Sequence, residues 1–339
     1  MTHEAPPPSA RLLELITGHW VTAALHAAAR LRVADHIGRG AATTAALAEA
    51  TGAHEPSLFR LLRALASLGV LVETEPRTFR CTEIGARLAA DHPESMRGMA
   101  LFQGAPPHWA GWGAFESAVR TGRSSFESVH GMRFFDYLQT DPEFSEDFND
   151  GMTSMSAAAA EAVVASYDFS GIGTLVDIGG GHGHLLARIV AAHPGLRGVV
   201  ADLPHVVAGA PATFARHGVA DRCTAAPADF FEALPPADAY IAKHIVHDWD
   251  DAHAARILRS ATRGLAPGGR VLIVDTVIEP GNAPSMAKLL DLEMLHATHG
   301  GKERTAEEFD ALFALVGLRR TRIVPTGTLV SIDEARAAT

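Results

Sequence analysis

The chain has 339 residues, 47% of them apolar and 20% charged, with a formal net charge of −10. That length accommodates two domains, and the mixed charges together with the apolar share exclude wholesale disorder. An acidic chain without long like-sign runs lacks the basic face that gripping nucleic-acid phosphates requires. The two cysteines, Cys81 and Cys223, sit in no CxxC or Cys/His cluster. They read as free thiols of a reducing compartment. The start of the chain, with Pro6, Pro7 and Pro8, lacks the basic start and apolar core of a signal peptide. No apolar run approaches the ~18 residues of a membrane span. The expectation is a cytoplasmic, enzyme-sized protein.

Residues 1–168 read as mostly helical. Leu12, Leu15 and Ile16, then Val21, Ala24 and Leu25, recur at helical spacing. A second helix follows the break at Gly40 over 44–48, and a third spans 57–65 and ends at Gly69, where a C-terminal glycine belongs. Two β-like pieces, 70–72 and 78–81, flank a turn at Glu75 and Pro76. Helices followed by a small hairpin form a winged-helix pattern. Such modules bind DNA or pair subunits, and the acidic balance favours a dimerisation module.

From residue 169 the pattern changes to alternating strands and helices. Residues 174–178, 198–202, 239–242 and 270–274 are continuous apolar runs of the kind buried on both faces in parallel sheets. Helices are expected over 184–193 and 251–265, and two final strands lie within 321–332 around Gly327. The fold class is therefore α/β, a Rossmann-like domain over 169–339 behind a helical, winged-helix domain over 1–168.

The strongest local signal runs from Leu175 to His184. Glycines at a strand-to-helix turn let backbone amides approach a ligand, and Asp202 closes the next strand, where a carboxylate accepts ribose hydroxyls. This much suits either a dinucleotide or S-adenosylmethionine. Three details favour the latter. Gly179, Gly181 and Gly183 follow G-x-G-x-G, not the G-x-G-x-x-G that seats a pyrophosphate. Asp177 sits just before them, placed to meet a cationic amino group that a dinucleotide lacks. Asp229 and Phe230 follow the third strand, where a carboxylate and an aromatic ring read an adenine; the plainer readings are a turn or helix-cap residue and core packing.

These residues resemble the small-molecule O-methyltransferases of the caffeate type and their bacterial antibiotic-pathway relatives. The resemblance covers most of the chain. It rests on Phe148, Asn149 and Met152, on the Gly179–Gly183 turn, on Asp202, Leu203 and Pro204, and on Asp229 and Phe230. It also rests on the run from Lys243 to Trp249, on 266–269, and on Gly300, Gly301, Lys302, Glu303, Arg304 and Thr305. It implies a winged-helix domain used for homodimerisation and an S-adenosylmethionine-dependent domain. It further implies that Gly179, Asp202, Leu203, Asp229, Phe230 and Lys243 contact the cofactor. His247 is implied as general base toward a phenolic hydroxyl, with Glu303 orienting its ring.

Methyl transfer from a sulfonium is an in-line displacement, so the protein must align the acceptor and remove its proton. The family usually supplies a second acid on the strand before Pro280. Here that position is Thr276, with Asp275 one residue earlier, and adjacent strand residues face opposite ways. His247, Asp248, His296 and His299 are also spaced to converge at a pocket mouth. His247, Asp248 and His299 would make a facial metal triad, the basis of an alternative reading as a metal-dependent C-methyltransferase of an aryl keto acid. N-methylation and a non-methylating reaction on the same scaffold are further alternatives, and a winged-helix regulator is a non-enzymatic one. Candidate acceptor-lining residues are Trp109, Trp112, Phe148, Met152, Met155, Met294, His296 and His299.

Overall fold

A computed structural model describes residues 7–338, the side chains of 157 and 158 aside. These residues form two compact units. One contains the chain up to Ala110 and Leu138–Met155; the other contains Gly111–Tyr137 and everything from Ser156. The single boundary expected at residue 168 thus gives way to three crossings. The change from helix to strand marks where the sheet begins, but the helical segment 111–137 already packs with it. Within that segment, Ser124 donates from its hydroxyl to the His296 carbonyl at 2.7 Å.

In the first unit, helix Glu55–Ser67 turns Leu58, Leu62 and Leu65 inward at i, i+4 and i+7 spacing. They bury against Ala28, Val33, Leu47 and Phe79. Gly69, at φ +72°, follows that helix in the left-handed region. The chain then enters an antiparallel hairpin of β1 (Leu71–Glu75) and β2 (Thr78–Cys81). The expected helix, helix and hairpin order is present. Leu12, Leu13, Leu15, Ile16 and Trp20 do not join this core and remain more than half exposed.

The second unit is built on a seven-stranded sheet. Its strands in chain order are β3 (Thr174–Ile178), β4 (Arg197–Asp202), β5 (Cys223–Pro227), β6 (Ala237–Lys243) and β7 (Leu265–Asp275). A separate two-stranded pair, β8 (Val277–Ile278) and β9 (Arg304–Thr305), follows. The chain ends in β10 (Leu318–Pro325) and β11 (Ser331–Ala337). The sheet order is β10-β11-β7-β6-β3-β4-β5. Strands β3 to β7 are parallel, and the last two add antiparallel edges. Alternation divides the core: Leu175, Val200, Ile241 and Val274 bury on one face, while Val176, Ile178, Tyr240, Val271 and Ile273 bury on the other. The order reverses between β3 and β6. At such a switch point, outside the carboxyl ends of the strands, α/β proteins seat their ligands. Among the described residues no helix is long and apolar enough to cross a membrane.

The antiparallel edge is pinned by Glu334 on β11, whose carboxylate accepts from Tyr167 Oη at 2.7 Å, Thr321 Oγ1 at 2.9 Å, Arg336 Nε at 3.1 Å and Arg322 Nε at 3.1 Å. Burial works against its charge, yet these donors hold the carboxylate down at about 2. A carboxylate with a depressed pKa stabilises the fold above its ordinary value and loses that contribution as pH falls through the depressed one. Glu334→Gln is expected to cost about 3 kcal/mol at pH 7. Urea unfolding followed by circular dichroism should show the gap to the parent narrowing as pH falls from 4.5 towards 2.

Candidate active site

The turn after β3 is shaped by glycine. Gly179, Gly181 and Gly183 stand at φ +62°, +60° and +74°, which side chains rarely tolerate. A Cβ on Gly179 would come 2.5 Å from the Ile245 side chain. At Gly181 nothing lies within 4 Å of where a Cβ would be, so its backbone faces open space. Asp202 ends β4 and ties this turn to its own strand: Gly181 N donates to Oδ2 at 2.9 Å and Leu203 N to Oδ1 at 2.7 Å. Leu203 is exposed beside it.

Asp177 and Lys243 lie at the ends of adjacent strands on one sheet face, since Asp177 pairs in register with Ile241, two residues before Lys243. Asp177 is buried and its Oδ2 has no hydrogen-bond partner. Burial pushes it up to about 7, against the pull of Lys243 and with a push from Asp202. Burial also lowers Lys243, opposed by Asp177 and Asp275; its Nζ donates to Ser156 Oγ at 2.9 Å. A buried carboxylate oxygen without a partner, beside a glycine turn with open space at Gly181, is an arrangement that an amino-acid ammonium and a nucleoside fit. Phe230 is half-buried, with its ring 4.9 Å from Phe231 and 6.2 Å from Trp249. Asp229 is exposed, and its Oδ1 accepts from Phe231 N at 2.8 Å, a turn-forming bond.

His247 lies in a single 3₁₀ turn, Val246–Asp248, following β6. Its ring is buried, at 7% exposure. Nδ1 lies 2.7 Å from Glu303 Oε1, and Nε2 lies 3.5 Å from Asp248 Oδ1. Glu303 is 3% exposed. Burial disfavours the imidazolium, but Asp248, Asp275 and Glu303 outweigh it and push His247 up to about 10. Burial raises Asp248 to about 6, with His247 pulling it down and Glu303 pushing it up. Asp248 does not cap the helix that follows. Asp250 does, accepting from His253 N at 2.8 Å.

Asp275 joins this cluster although strand alternation placed it on the wrong side of Thr276. The strand β7 ends at Asp275, so alternation gives no direction beyond it. Its Oδ1 accepts from His244 N at 2.9 Å, while the Thr276 hydroxyl is buried without a partner. Burial raises Asp275 to about 7, with His247 opposing.

Arg304, which sequence reasoning quoted only as part of a motif, fixes the frame around His247. It is fully buried. It donates to the carbonyls of Val246 at 3.0 Å and Trp249 at 2.8 Å, and through Nε and Nη2 to Asp251 Oδ1 at 3.1 and 2.9 Å. Glu303 holds the ring while its neighbour Arg304 holds the backbone on both sides of it. Lys302 N adds a bond to the His247 carbonyl at 2.8 Å. The paired signal in the sequence is an arginine next to the glutamate expected to orient His247; which carbonyls it serves depends on tertiary contact.

The acceptor-lining candidates divide between the units. Trp109, Phe148, Met152 and Met155 belong to the first, each half-buried. Trp112, Met294, His296 and His299 belong to the second. There Trp112 stacks on His296 with ring centres 4.9 Å apart and donates from Nε1 to Glu293 Oε2 at 3.2 Å. His296 is buried with Nδ1 2.9 Å from Ser125 Oγ. Met294 is buried on the same helix. His299 is exposed, 3.3 Å from Glu127 Oε2. Among the described residues, the group around His247 whose ligand atoms approach within 4.8 Å of one another contains His244 and Asp275, rather than Asp248 and His299.

Known proteins place this arrangement. A family model of the O-methyltransferase domain matches residues 112–319, and one of the O-methyltransferase dimerisation domain matches residues 13–91. The chain is 42% identical over 333 residues to phenazine O-methyltransferase PhzM of Lysobacter antibioticus, covering 98% of this chain and 97% of that one. It is 42% identical over 328 residues to the mitomycin biosynthesis 6-O-methyltransferase of Streptomyces lavendulae, covering 96% and 93%. The structure of CalO1, a methyltransferase in calicheamicin biosynthesis in its SAH-bound form, matches with a TM-score of 0.88 at 36% identity, covering 97% and 98%. The chain belongs to the O-methyltransferase family, in which S-adenosylmethionine is the cofactor. It carries both the Rossmann-like catalytic domain and the helical dimerisation domain of that family.

Replacing Arg304 frees both ends of the turn that carries His247. Arg304→Met is expected to lower kcat roughly 100-fold, the scale of a small misplacement of a catalytic group. Cofactor affinity measured by calorimetry should stay within about threefold.

Proposed function

We propose that this protein transfers a methyl group from S-adenosylmethionine to a phenolic hydroxyl of a small aromatic or polyketide-like secondary metabolite, with His247 as general base. The observation that carries this reading is the buried 2.7 Å contact between His247 Nδ1 and Glu303. It leaves Nε2 as the nitrogen for an acceptor, with the ring orientation fixed as in other His-carboxylate pairs. The cofactor, when bound, supplies an activated methyl on a sulfonium. Gly179, Gly181, Asp202 and Leu203 hold its nucleoside side, Asp177 and Lys243 its amino-acid side, and Phe230 the adenine face. Asp229 sits beside that face through its turn.

His247 with a conjugate acid near 10 matches a phenol of pKa ~10, so the proton passes between groups of similar basicity as the oxygen attacks. Asp248 and Asp275 stabilise the imidazolium that results. Within the second unit, Trp112, Met294 and His296 offer a flat aromatic-and-thioether wall suited to a planar acceptor; His299, and in the first unit Trp109, Phe148, Met152 and Met155, are further candidates for acceptor contact. The match of both family models and the phenazine and mitomycin names of the relatives support a planar, oxygenated acceptor. Carbon or nitrogen methylation and non-methylating chemistry are not favoured. The exposed Leu13, Leu15, Ile16 and Trp20, within the matched dimerisation domain, support a homodimer, and a cytoplasmic location completes the reading.

His247→Ala should keep cofactor affinity while losing roughly 10²–10⁴-fold in kcat with a phenolic acceptor; turnover within threefold of the parent removes the base from the mechanism. Because a raised pKa keeps His247 protonated below about 10, kcat/KM should climb with pH across the neutral and alkaline range. Glu303→Gln removes a charge that raises that pKa and should move the rising limb to lower pH with a reduced plateau. Light scattering at micromolar concentration should give twice the chain mass of 35.8 kDa, and a monomer would contradict the pairing.

A further inference from the structure

One histidine of the cluster has no part in the mechanism above. His244 follows Lys243 at φ +54°, a left-handed conformation that costs a non-glycine residue of order 1 kcal/mol and persists where surrounding structure enforces it. Here Asp275 enforces it by accepting from the His244 backbone amide at 2.9 Å. The result brings the His244 ring to 4.9 Å from the His247 ring, centre to centre, and its Nδ1 to 3.8 Å from Asp275 Oδ1.

The three side chains offer two imidazole nitrogens and one carboxylate oxygen, all within 4.8 Å of one another. Ligands about 2.1 Å from a tetrahedral zinc ion stand about 3.4 Å apart, so shifts of about 1 Å would close the set on one ion. The second oxygen of Asp275 is buried without any partner, an orphan that a cation satisfies. Behind His247, the Glu303 carboxylate at 2.7 Å from Nδ1 forms the carboxylate-histidine pair that usually backs a metal-binding imidazole, directing Nε2 forward as the ligand. Once an ion displaces the proton from His247 Nε2, two neutral imidazoles with a carboxylate suit zinc better than magnesium or calcium, which prefer all-oxygen sites.

We propose that His244, His247 and Asp275 form an inhibitory site for a divalent zinc ion. An ion held there occupies the lone pair on His247 Nε2 that would otherwise accept the acceptor's proton. Occupancy therefore stops methyl transfer without touching the glycine turn or Asp202, and removal of the ion restores it. Because His247 gives both functions, base and ligand, metal and acceptor exclude each other.

The test uses full-length untagged protein. His244→Asn is the informative variant, since asparagine tolerates the left-handed backbone and the mechanism makes no use of His244. Asp275→Asn serves as a second ligand variant for the binding arm. Zinc affinity is measured by competition with a chromophoric chelator, and retained cofactor affinity reports that each variant is folded. The parent should bind one ion at least about tenfold more tightly than either variant. Its methyl transfer should fall with added zinc and recover with EDTA, while His244→Asn should keep basal turnover and resist zinc. Equal zinc affinity in parent and variants, or equal zinc inhibition of parent and His244→Asn, overturns the proposal. The binding arm stands independently of turnover, so a wrong acceptor or a wrong base leaves it readable.

Discussion

The site depends on one buried contact, that between the His247 ring and Glu303. Two ionisable groups are held almost entirely out of water, where each alone would carry several kcal/mol of desolvation. Their proximity offsets that cost, and two further carboxylates, Asp248 and Asp275, tilt the balance towards a protonated ring. Burial raises Asp248 and Asp275, and the neighbouring carboxylates push them further against the pull of His247, since buried like charges cannot all ionise cheaply. The cluster thus holds more acid than base, which makes its imidazole a strong base.

Such a contact works only if neither partner moves, and the chain secures each from a separate direction. His247 comes from the end of β6 and Glu303 from the residue before β9. Arg304, fully buried, spans the gap by gripping Val246 and Trp249. The groups proposed to meet the cofactor follow the same logic: Asp177, Asp202 and Lys243 lie at the carboxyl ends of three adjacent parallel strands, β3, β4 and β6. Bringing them together needs no long-range coordination beyond the sheet itself, because parallel strands present their carboxyl ends on one side.

Much of this was legible in the sequence, for identifiable reasons. Strand 174–178 is readable because a strand buried on both faces becomes an uninterrupted apolar run, and its limits match those observed. The glycine turn is readable because only glycine suits three left-handed positions within five residues. Less accessible was the direction of Asp275, since the alternation rule assumes a strand that continues, whereas β7 stops at that residue. Arg304 stood in plain view inside a recognised motif, but the carbonyls it serves lie 55 and 58 residues away. The spacing that grouped His299 with His247 failed to anticipate its contact with Glu127, because a loop's direction is set by what it packs on. The apolar residues at 12–16 showed helical spacing correctly, yet the spacing is silent on whether their face meets this chain or another.

The protonation state of His247 in the resting enzyme tests the account most directly. Nitrogen-15 chemical shifts of labelled histidine, with the resonance assigned through the His247→Ala spectrum, report it across a pH titration. The account predicts that His247 stays protonated through neutral pH and titrates far above the ordinary ~6.5, towards about 10. A midpoint near 6.5, unmoved by Glu303→Gln, would contradict the claim that the buried carboxylates set the strength of the base.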